Sequence, residues 1–392
     1  MIEPSTLFWL LSVSLVYLLA TSVILLRNRF EFSPLRSETT DTEPFPKISI
    51  CIPARNEEAS LPRLLESVCR QDYPTFEVLV LDDFSEDKTH EVIQQYRNTF
   101  PGRVVPIEAS PKPDHWLGKP WACRQLANNA TGDILLFLDA DTVLFPGMLN
   151  NIAGAFKRHK LDMITVWPQQ QLVTFWEKTV IPLIYYALLT LLPSIYVYRK
   201  PRWMPAFLAK WLAPSFAAAN GQCIGFTQEA YEEIGGHDAV KQKVVEDVAL
   251  AKVARKKGLS LRMFNGTASI RCRMYHSQQE LYNGLRKNFF AGFNRSIPLF
   301  LVMALLHLVV FVLPFVAIFL PFVWQQPSLV FLSVSSVSLI LLHRFILAVW
   351  FRWNPIYGLL HPLGVLWFQR LGIRSVADHL SGKKVKWKGR EV

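Results

Sequence analysis

The chain has 392 residues, 51% of them hydrophobic, yet 42 Lys and Arg against 31 Asp and Glu leave it a net charge of +11, which excludes both simple disorder and a purely soluble domain. At roughly 150 residues per domain this length makes two or three units, and the bunching of the apolar residues places one of them in a membrane. The positive charge then points to anionic lipid headgroups and not to nucleic acid.

Five cysteines, Cys51, Cys69, Cys123, Cys223 and Cys272, are odd in number and include no CxxC pair. They suggest neither a disulfide framework nor a zinc site, and a reducing compartment fits them.

Residues 7–26 carry no charge and are long enough to cross a bilayer core of about 30 Å at 1.5 Å per residue. No small-residue cleavage site follows, and Arg27, Arg29 and Arg36 come next. The stretch therefore reads as an uncleaved anchor, residues 1–30, with its C-terminal end in the cytoplasm. Residues 31–46, with their Ser, Thr and Pro, read as a linker.

From residue 47 the pattern changes. Residues 48–52, 77–81 and 134–138 are compact apolar runs of the kind shown by parallel strands buried on both faces. Residues 57–70 and 88–96 carry helical spacing. This alternation predicts βαβ units and an α/β, doubly wound sheet, in which ligands collect at the carboxyl ends of the strands.

A second uncharged run, 179–198, is interrupted by Pro182 and Pro193 and surrounded by Trp176, Tyr185, Tyr186 and Trp203. If it crossed the bilayer, the acidic motifs before and after it would lie on opposite sides. It is therefore expected to be interfacial or re-entrant, within a segment 176–216, with Arg199, Lys200, Arg202 and Lys210 at headgroup level. Residues 299–324 predict a span. Residues 329–350 predict another, in which His343 and Arg344 must snorkel or face protein. A shorter apolar piece, 355–368, contains Pro362. The tail 370–392 is rich in Lys and Arg, so the positive-inside rule puts it in the cytoplasm after an even number of C-terminal spans.

Three acidic clusters carry the chemistry. Asp82 and Asp83 follow an apolar strand, where they fit a nucleotide grip and a helix cap equally well. Asp139 and Asp141, one residue apart after a second such strand, can reach one hard cation, Mg²⁺ or Mn²⁺, whose shell phosphoryl oxygens and water complete. Glu246 and Asp247 open a helical segment. The helix dipole favours them there, and one of them could instead serve as a general base. His237 and His276 fit ordinary hydrogen-bonding roles.

Taken in order, Pro53-Ala54-Arg55-Asn56-Glu57-Glu58, Asp82-Asp83, Gly118-Lys119, Asp139-Ala140-Asp141, Asn220-Gly221-Gln222, Gly235-Gly236 and Glu246-Asp247 resemble a family 2 glycosyltransferase over residues 47–293. Within that family the chain is similar to the non-processive, membrane-bound enzymes that glycosylate lipids, including ceramide glucosyltransferases and the hopanoid- and carotenoid-associated enzymes. The resemblance implies a GT-A type catalytic domain in two halves, 47–175 for nucleotide sugar and metal and 217–298 for the acceptor, followed by membrane helices over 299–369.

It also implies roles. Pro53, Asn56, Glu57, Asp82 and Asp83 would hold the nucleoside with Lys119 nearby. Asp139 and Asp141 would place the metal on the diphosphate. Asp247 would be the base of an inverting displacement, with Glu246 beside it. Asn220, Gly221 and Gln222 would line the cleft where donor sugar and acceptor meet. The Gln-x-x-Arg-Trp motif of processive relatives is absent, which argues against polysaccharide synthesis. In that region Arg286 or Lys287 could neutralise diphosphate as a charge-assisted donor, or contact lipid headgroups as juxtamembrane basic residues commonly do.

The expected activity is transfer of one sugar from a nucleotide diphosphate sugar, a UDP-hexose, to a hydroxyl or carboxyl of a membrane lipid. The alternative is transfer to a polyprenyl phosphate, with Arg271, Arg273, Arg286 and Lys287 as acceptor contacts. A non-catalytic scaffold is disfavoured because every acidic motif is intact. Composition leaves the oligomeric state open.

Overall fold

The computed structural model describes residues 3–36, 45–199, 203–293, 295–381, 386–387 and 390–391. Lys200 and Arg202 of the expected headgroup cluster lie outside these residues, as do Lys383, Lys384 and Lys388 of the basic tail. The chain divides into two compact units, one comprising residues 1–30, 172–193 and 275–392, the other 31–171 and 194–274.

The second unit is built on an eight-stranded sheet. Its strands are β1 (Ile48–Ala54), β2 (Phe76–Asp82), β3 (Val104–Ile107), β4 (Ile134–Leu138), β5 (Thr142–Leu144), β6 (Met163–Gln170), β7 (Cys223–Thr227) and β8 (Leu261–Cys272), in the order β3-β2-β1-β4-β7-β6-β8-β5. The first four are parallel neighbours. β7 runs antiparallel to both β4 and β6, and β6 pairs with β8 in parallel. The doubly wound pattern read from the sequence thus holds for one half of a mixed sheet.

Buried apolar side chains fix that half. All five residues of β4 are buried, as are six of seven in β1. The Leu61–Cys69 helix lays Leu61, Leu64, Leu65 and Val68 on the sheet at helical spacing, and each fully buried Leu contributes about 1.5–3 kcal/mol. The chain leaves β1 toward β2 on one side and reaches β4 on the other. The carboxyl ends of β1 and β4 therefore flank a switch point, where open α/β sheets bind ligands.

Residues 33–35, read as linker, are bonded to β8. Asn265 N–H donates to Ser33 O and Leu35 N–H to Asn265 O, each at 2.9 Å. All five cysteines are free and buried.

The first unit holds three helices long and apolar enough to cross a membrane, Pro4–Glu31, Ile297–Ala317 and Pro327–Phe351. The apolar run 299–324 is not one uninterrupted helix. It changes segment at Val312 ahead of Pro314 and ends in a short 3-10 turn, Pro321–Gln325, because proline cannot supply a backbone N–H. His343 and Arg344 face protein: His343 meets Ser22 Oγ at 2.7 Å and the Tyr186 hydroxyl at 3.0 Å, and both are buried. The short apolar piece at 355–368 proves to be a 3-10 turn leading into a 20-residue helix, His361–Leu380. Pro362 starts that helix, at a position where its missing N–H costs nothing.

The run at 179–198 is also shorter than its composition suggests. Its helix, Phe175–Leu191, opens with a capping box between Thr174 and Glu177, tolerates Pro182 and stops before Pro193. Both ends follow from residue type.

Candidate active site

The carboxyl ends of β1 and β2 are joined into one wall. In register, Ala54 lies beside Asp82, and Asp83 N–H donates to Ala54 O at 2.8 Å. Asn56 turns the chain at φ +52°, a conformation Asn tolerates. Its N–H donates to Ser85 Oγ at 2.9 Å, and its Oδ1 accepts from Glu86 N–H at 2.8 Å. Glu57 N–H donates to Thr89 Oγ1, and Ser85 N–H to Asp82 Oδ1. Arg55 closes the wall by donating to the carbonyls of Asp83 and Phe84. Pro53, Asn56, Glu57, Asp82 and Asp83 are thus brought together, and Arg55 is a structural clasp that sequence reading left without a role.

A charge cluster stands at the end of β4. Lys119 opens the Gly118–Asn129 helix, where the dipole disfavours a cation, but two carboxylates compensate. Lys119 Nζ lies 2.7 Å from Asp139 Oδ1 and 2.9 Å from Glu246 Oε1. Burial pushes the Lys119 ammonium down, and the two carboxylates more than reverse this, holding it well above the usual range.

Glu246 and Asp247 begin the Glu246–Lys257 helix and respond in opposite senses. Burial pushes Glu246 up, but the Lys119 charge and hydrogen bond bring it below the usual carboxylate range. Burial and then the Glu246 charge push Asp247 up to about 6. Asp247 Oδ2 accepts from Gly221 N–H at 2.7 Å, and Oδ1 from Val248 N–H at 2.8 Å. Gly221 is needed for this approach, since a Cβ there would sit 3.2 Å from Lys119 Nζ and 3.3 Å from Asp247 Oδ2.

Asn220 and Gln222 serve this arrangement differently. Asn220 is pinned by Thr165 Oγ1, and its own Oδ1 accepts from Gln222 N–H, each at 2.9 Å. Gln222 was expected to line the cleft, but its side chain is 1% exposed. It is held by Gln170 Nε2 at 2.8 Å and bonded to Cys272 Sγ at 2.9 Å. Its carbonyl accepts from Asp139 N–H at 3.2 Å, so Gln222 props the Asp139–Asp141 turn.

Asp141 lines a small open depression with Ser60, Arg63, Thr142, Val143, Gln171, Arg271 and Arg273. Its carbonyl accepts from Arg273 N–H at 3.2 Å. Arg286 and Lys287, expected at the diphosphate, belong to the other unit. There Arg286 Nε lies 3.2 Å from Asp378 Oδ2. His237 bonds to the Tyr231 hydroxyl at 2.7 Å, and burial lowers it to about 3, leaving a neutral structural imidazole.

The donor set at 139–141 suits a hard divalent ion. It offers carboxylate oxygens on one strand end, and among the described residues no group of three or more His, Cys, Asp or Glu could complete a shell. Mg²⁺-type sites are built in this way, from one or two carboxylates plus substrate phosphates and water. A divalent ion there would be held by Asp141 and by Asp139, whose Oδ1 also meets Lys119 Nζ at 2.7 Å.

The glycosyl transferase family 2 model matches residues 49–235, which contain the β1–β2 wall, Lys119, Asp139, Asp141 and Asn220–Gln222. The chain carries a family 2 glycosyltransferase domain. This glycosyltransferase is 25% identical over 352 residues to the 4,4'-diaponeurosporenoate glycosyltransferase of Staphylococcus aureus strain USA300, covering 88% of each chain. Its fold is similar to that of the mannosyltransferase PcManGT from Pyrobaculum calidifontis, solved in complex with GDP-Man and Mn²⁺, with a TM-score of 0.51 and 18% identity over 96% of this chain and 100% of that one. S. aureus TarS 1-349 in complex with UDP-GlcNAc matches at a TM-score of 0.42 and 14% identity, over 88% and 95% of the two chains.

Proposed function

We propose that this glycosyltransferase moves one sugar, with inversion, from a nucleotide diphosphate sugar of the UDP-hexose type to a hydroxyl or carboxyl of a membrane lipid, using Mg²⁺ or Mn²⁺. The observation that carries the reading is Asp247. It is a carboxylate raised to about 6, fixed by the Gly221 N–H and joined through Glu246 and Lys119 to the aspartate pair at the end of β4. A base poised near the working pH can accept the acceptor's proton as its oxygen attacks the anomeric carbon. The Lys119 charge lowers both acids, and burial with the Glu246 charge raises Asp247 against it.

Pro53, Asn56, Glu57, Asp82 and Asp83 would hold the nucleoside against a wall that the Arg55 clasp keeps rigid. A divalent ion held by Asp141 and Asp139 with phosphoryl oxygens would neutralise the charge of the departing diphosphate. A carboxyl acceptor is already an anion and relies on Asp247 much less than an alcohol does.

Two features support a lipid acceptor. The relative from S. aureus is named for an apolar carboxylate, and Trp203, Phe207 and Trp211, spaced four residues apart, are 72%, 76% and 75% exposed beside Lys210. Aromatics with a basic residue at that spacing fit an interfacial membrane contact. The basic residues after the first apolar helix and in the tail favour a cytoplasmic catalytic unit. The test is transfer of label from a panel of sugar nucleotides into lipid extract by the purified chain. Absence of any labelled lipid, with or without Mn²⁺, would overturn the reading.

A further inference from the structure

We infer that the helical unit holds a buried anion site, in which Arg344, with His361 beside it, receives the carboxylate or phosphate group of a lipid. The inference rests on the transferase reading only for which lipid supplies that group.

Arg344 lies in Pro327–Phe351, a helix long and apolar enough to cross a membrane, and is 4% exposed. Its Nη1 is buried without a hydrogen-bond partner, and its Nη2 reaches only the Tyr357 carbonyl, at 3.4 Å. Among the described side chains, the acids of this unit are engaged elsewhere. Asp378 stands beside Arg286 and Arg374, Glu280 beside His276, and Glu177 closes the capping box of its own helix. Glu3 precedes the far end of the first helix, about 28 Å from Ser22 at 1.5 Å per residue. A guanidinium stays charged at neutral pH, and the bilayer core offers no water to solvate it. Arg255 and Arg262 of the other unit, which also carry an unbonded Nε, are only partly buried and have solvent beside them. Ionisable groups inside a membrane mark the path of a substrate or ion, and the partner that fits a lone guanidinium is an oxyanion.

His361 supplies a second donor. It is 1% exposed, both of its ring nitrogens lack a partner, and it is held between the Tyr186 and Phe311 rings, each with its centre 5.1 Å away. Arg344 lies within electrostatic range of both His361 and Tyr186. The neighbouring His343 is already satisfied by Ser22 and Tyr186. An imidazole N–H and a guanidinium N–H can converge on one oxyanion, which neither can do on a cation.

The depth of the site suits a lipid. Arg344 is seven residues from the end of its helix at Phe351, about 10 Å below it. At that end the Arg29 guanidinium carbon lies 5.6 Å from the Trp350 ring centre. The turn Pro355–Leu360 covers Arg344: a Cβ on Gly358 would sit 3.1 Å from the Arg344 Cβ, while Ile356 and Leu359 point outward and are exposed. A lipid tail can lie along the apolar outside of this turn while its acid group enters on the inside. The same chemistry has two sources, an acid group on the acceptor lipid or the phosphate of a bilayer phospholipid.

The test uses the full chain in neutral detergent and measures retained lipid by native mass spectrometry, with thermal unfolding in parallel. The probes are oleate against oleyl alcohol and dioleoylphosphatidylglycerol against dioleoylglycerol. The variants are Arg344→Gln, the charge-keeping Arg344→Lys, and His361→Gln. The expected result is that the parent retains an anionic probe more tightly than its neutral counterpart. Both Gln variants should weaken that probe at least tenfold and leave the neutral one unchanged, and Arg344→Lys should keep part of the binding. Loss confined to oleate assigns the site to an acid of the acceptor, and loss confined to phosphatidylglycerol assigns it to a bilayer lipid.

Anionic probes bound no better than neutral ones by the parent, or bound equally well by Arg344→Gln, would overturn the site. If Arg344→Gln does not fold, the same comparison on His361→Gln decides. Oleate binding that depends on Arg344, in a chain that transfers no sugar from any nucleotide, would leave the site standing and overturn the transferase reading.

Discussion

Lys119 Nζ lies 2.9 Å from Glu246 Oε1, so a cation at the start of one helix holds a carboxylate at the start of another. That contact separates the behaviour of two adjacent acids, keeping Glu246 ionised while Asp247 is pushed up to about 6. Lys119→Met removes the charge that opposes the rise. Asp247 should then titrate at higher pH, and transfer measured at pH 6 should fall about tenfold. Because Lys119 is 38% exposed, the loss of stability is expected to be about 1–2 kcal/mol rather than the cost of a fully buried pair. A pH–rate profile and a denaturant titration check both.

Asp247→Asn keeps the shape and loses the base. Transfer to an alcohol acceptor should fall by about 10²–10⁴, while UDP affinity stays within about twofold. Transfer to a carboxyl acceptor should fall far less. Full activity toward an alcohol in this variant would remove the assignment of the base.

The pH dependence follows in sign from the same group. Protonation of Asp247 below about 6 removes the base, so kcat/KM for an alcohol should decline as pH falls through that value. Stability runs the other way. The folded chain keeps a proton on Asp247 that the unfolded chain has released, so this contribution is full below the ordinary Asp range and is lost as pH rises through about 6. Thermal melts across that window, compared with those of Asp247→Asn, measure it.

Gly221→Ala tests the approach of strand to helix. The added Cβ would lie 3.2 Å from Lys119 Nζ and 3.3 Å from Asp247 Oδ2, close enough to shift both side chains without entering the core. The expected outcome is a kcat reduced about tenfold or more, with the melting temperature changed by only a few degrees.

The parallel half of the sheet was legible because β1, β2 and β4 are short, continuous apolar runs followed at once by polar turns. β8 was not. Arg262, Asn265, Thr267, Ser269 and Arg271 interrupt its pattern, and Asn265 and Ser269 are satisfied by residues 33–35, distant in sequence. β6 contains Pro168 at a shift in register, and β5 has three residues. The carboxylates could be read because each follows a strand or opens a helix. The Lys119 bridge to Glu246, the burial of Gln222 and the Asp378 contact of Arg286 arise from tertiary pairing, which no local spacing encodes.

The most direct measurement is the mass of new lipid when purified protein in lipid extract receives Mn²⁺ and a panel of sugar nucleotides, with Asp141→Ala alongside. The account predicts one lipid heavier by a single sugar, absent from the Asp141→Ala reaction. Equal product from the two proteins, or a ladder of successive sugar additions, would contradict it.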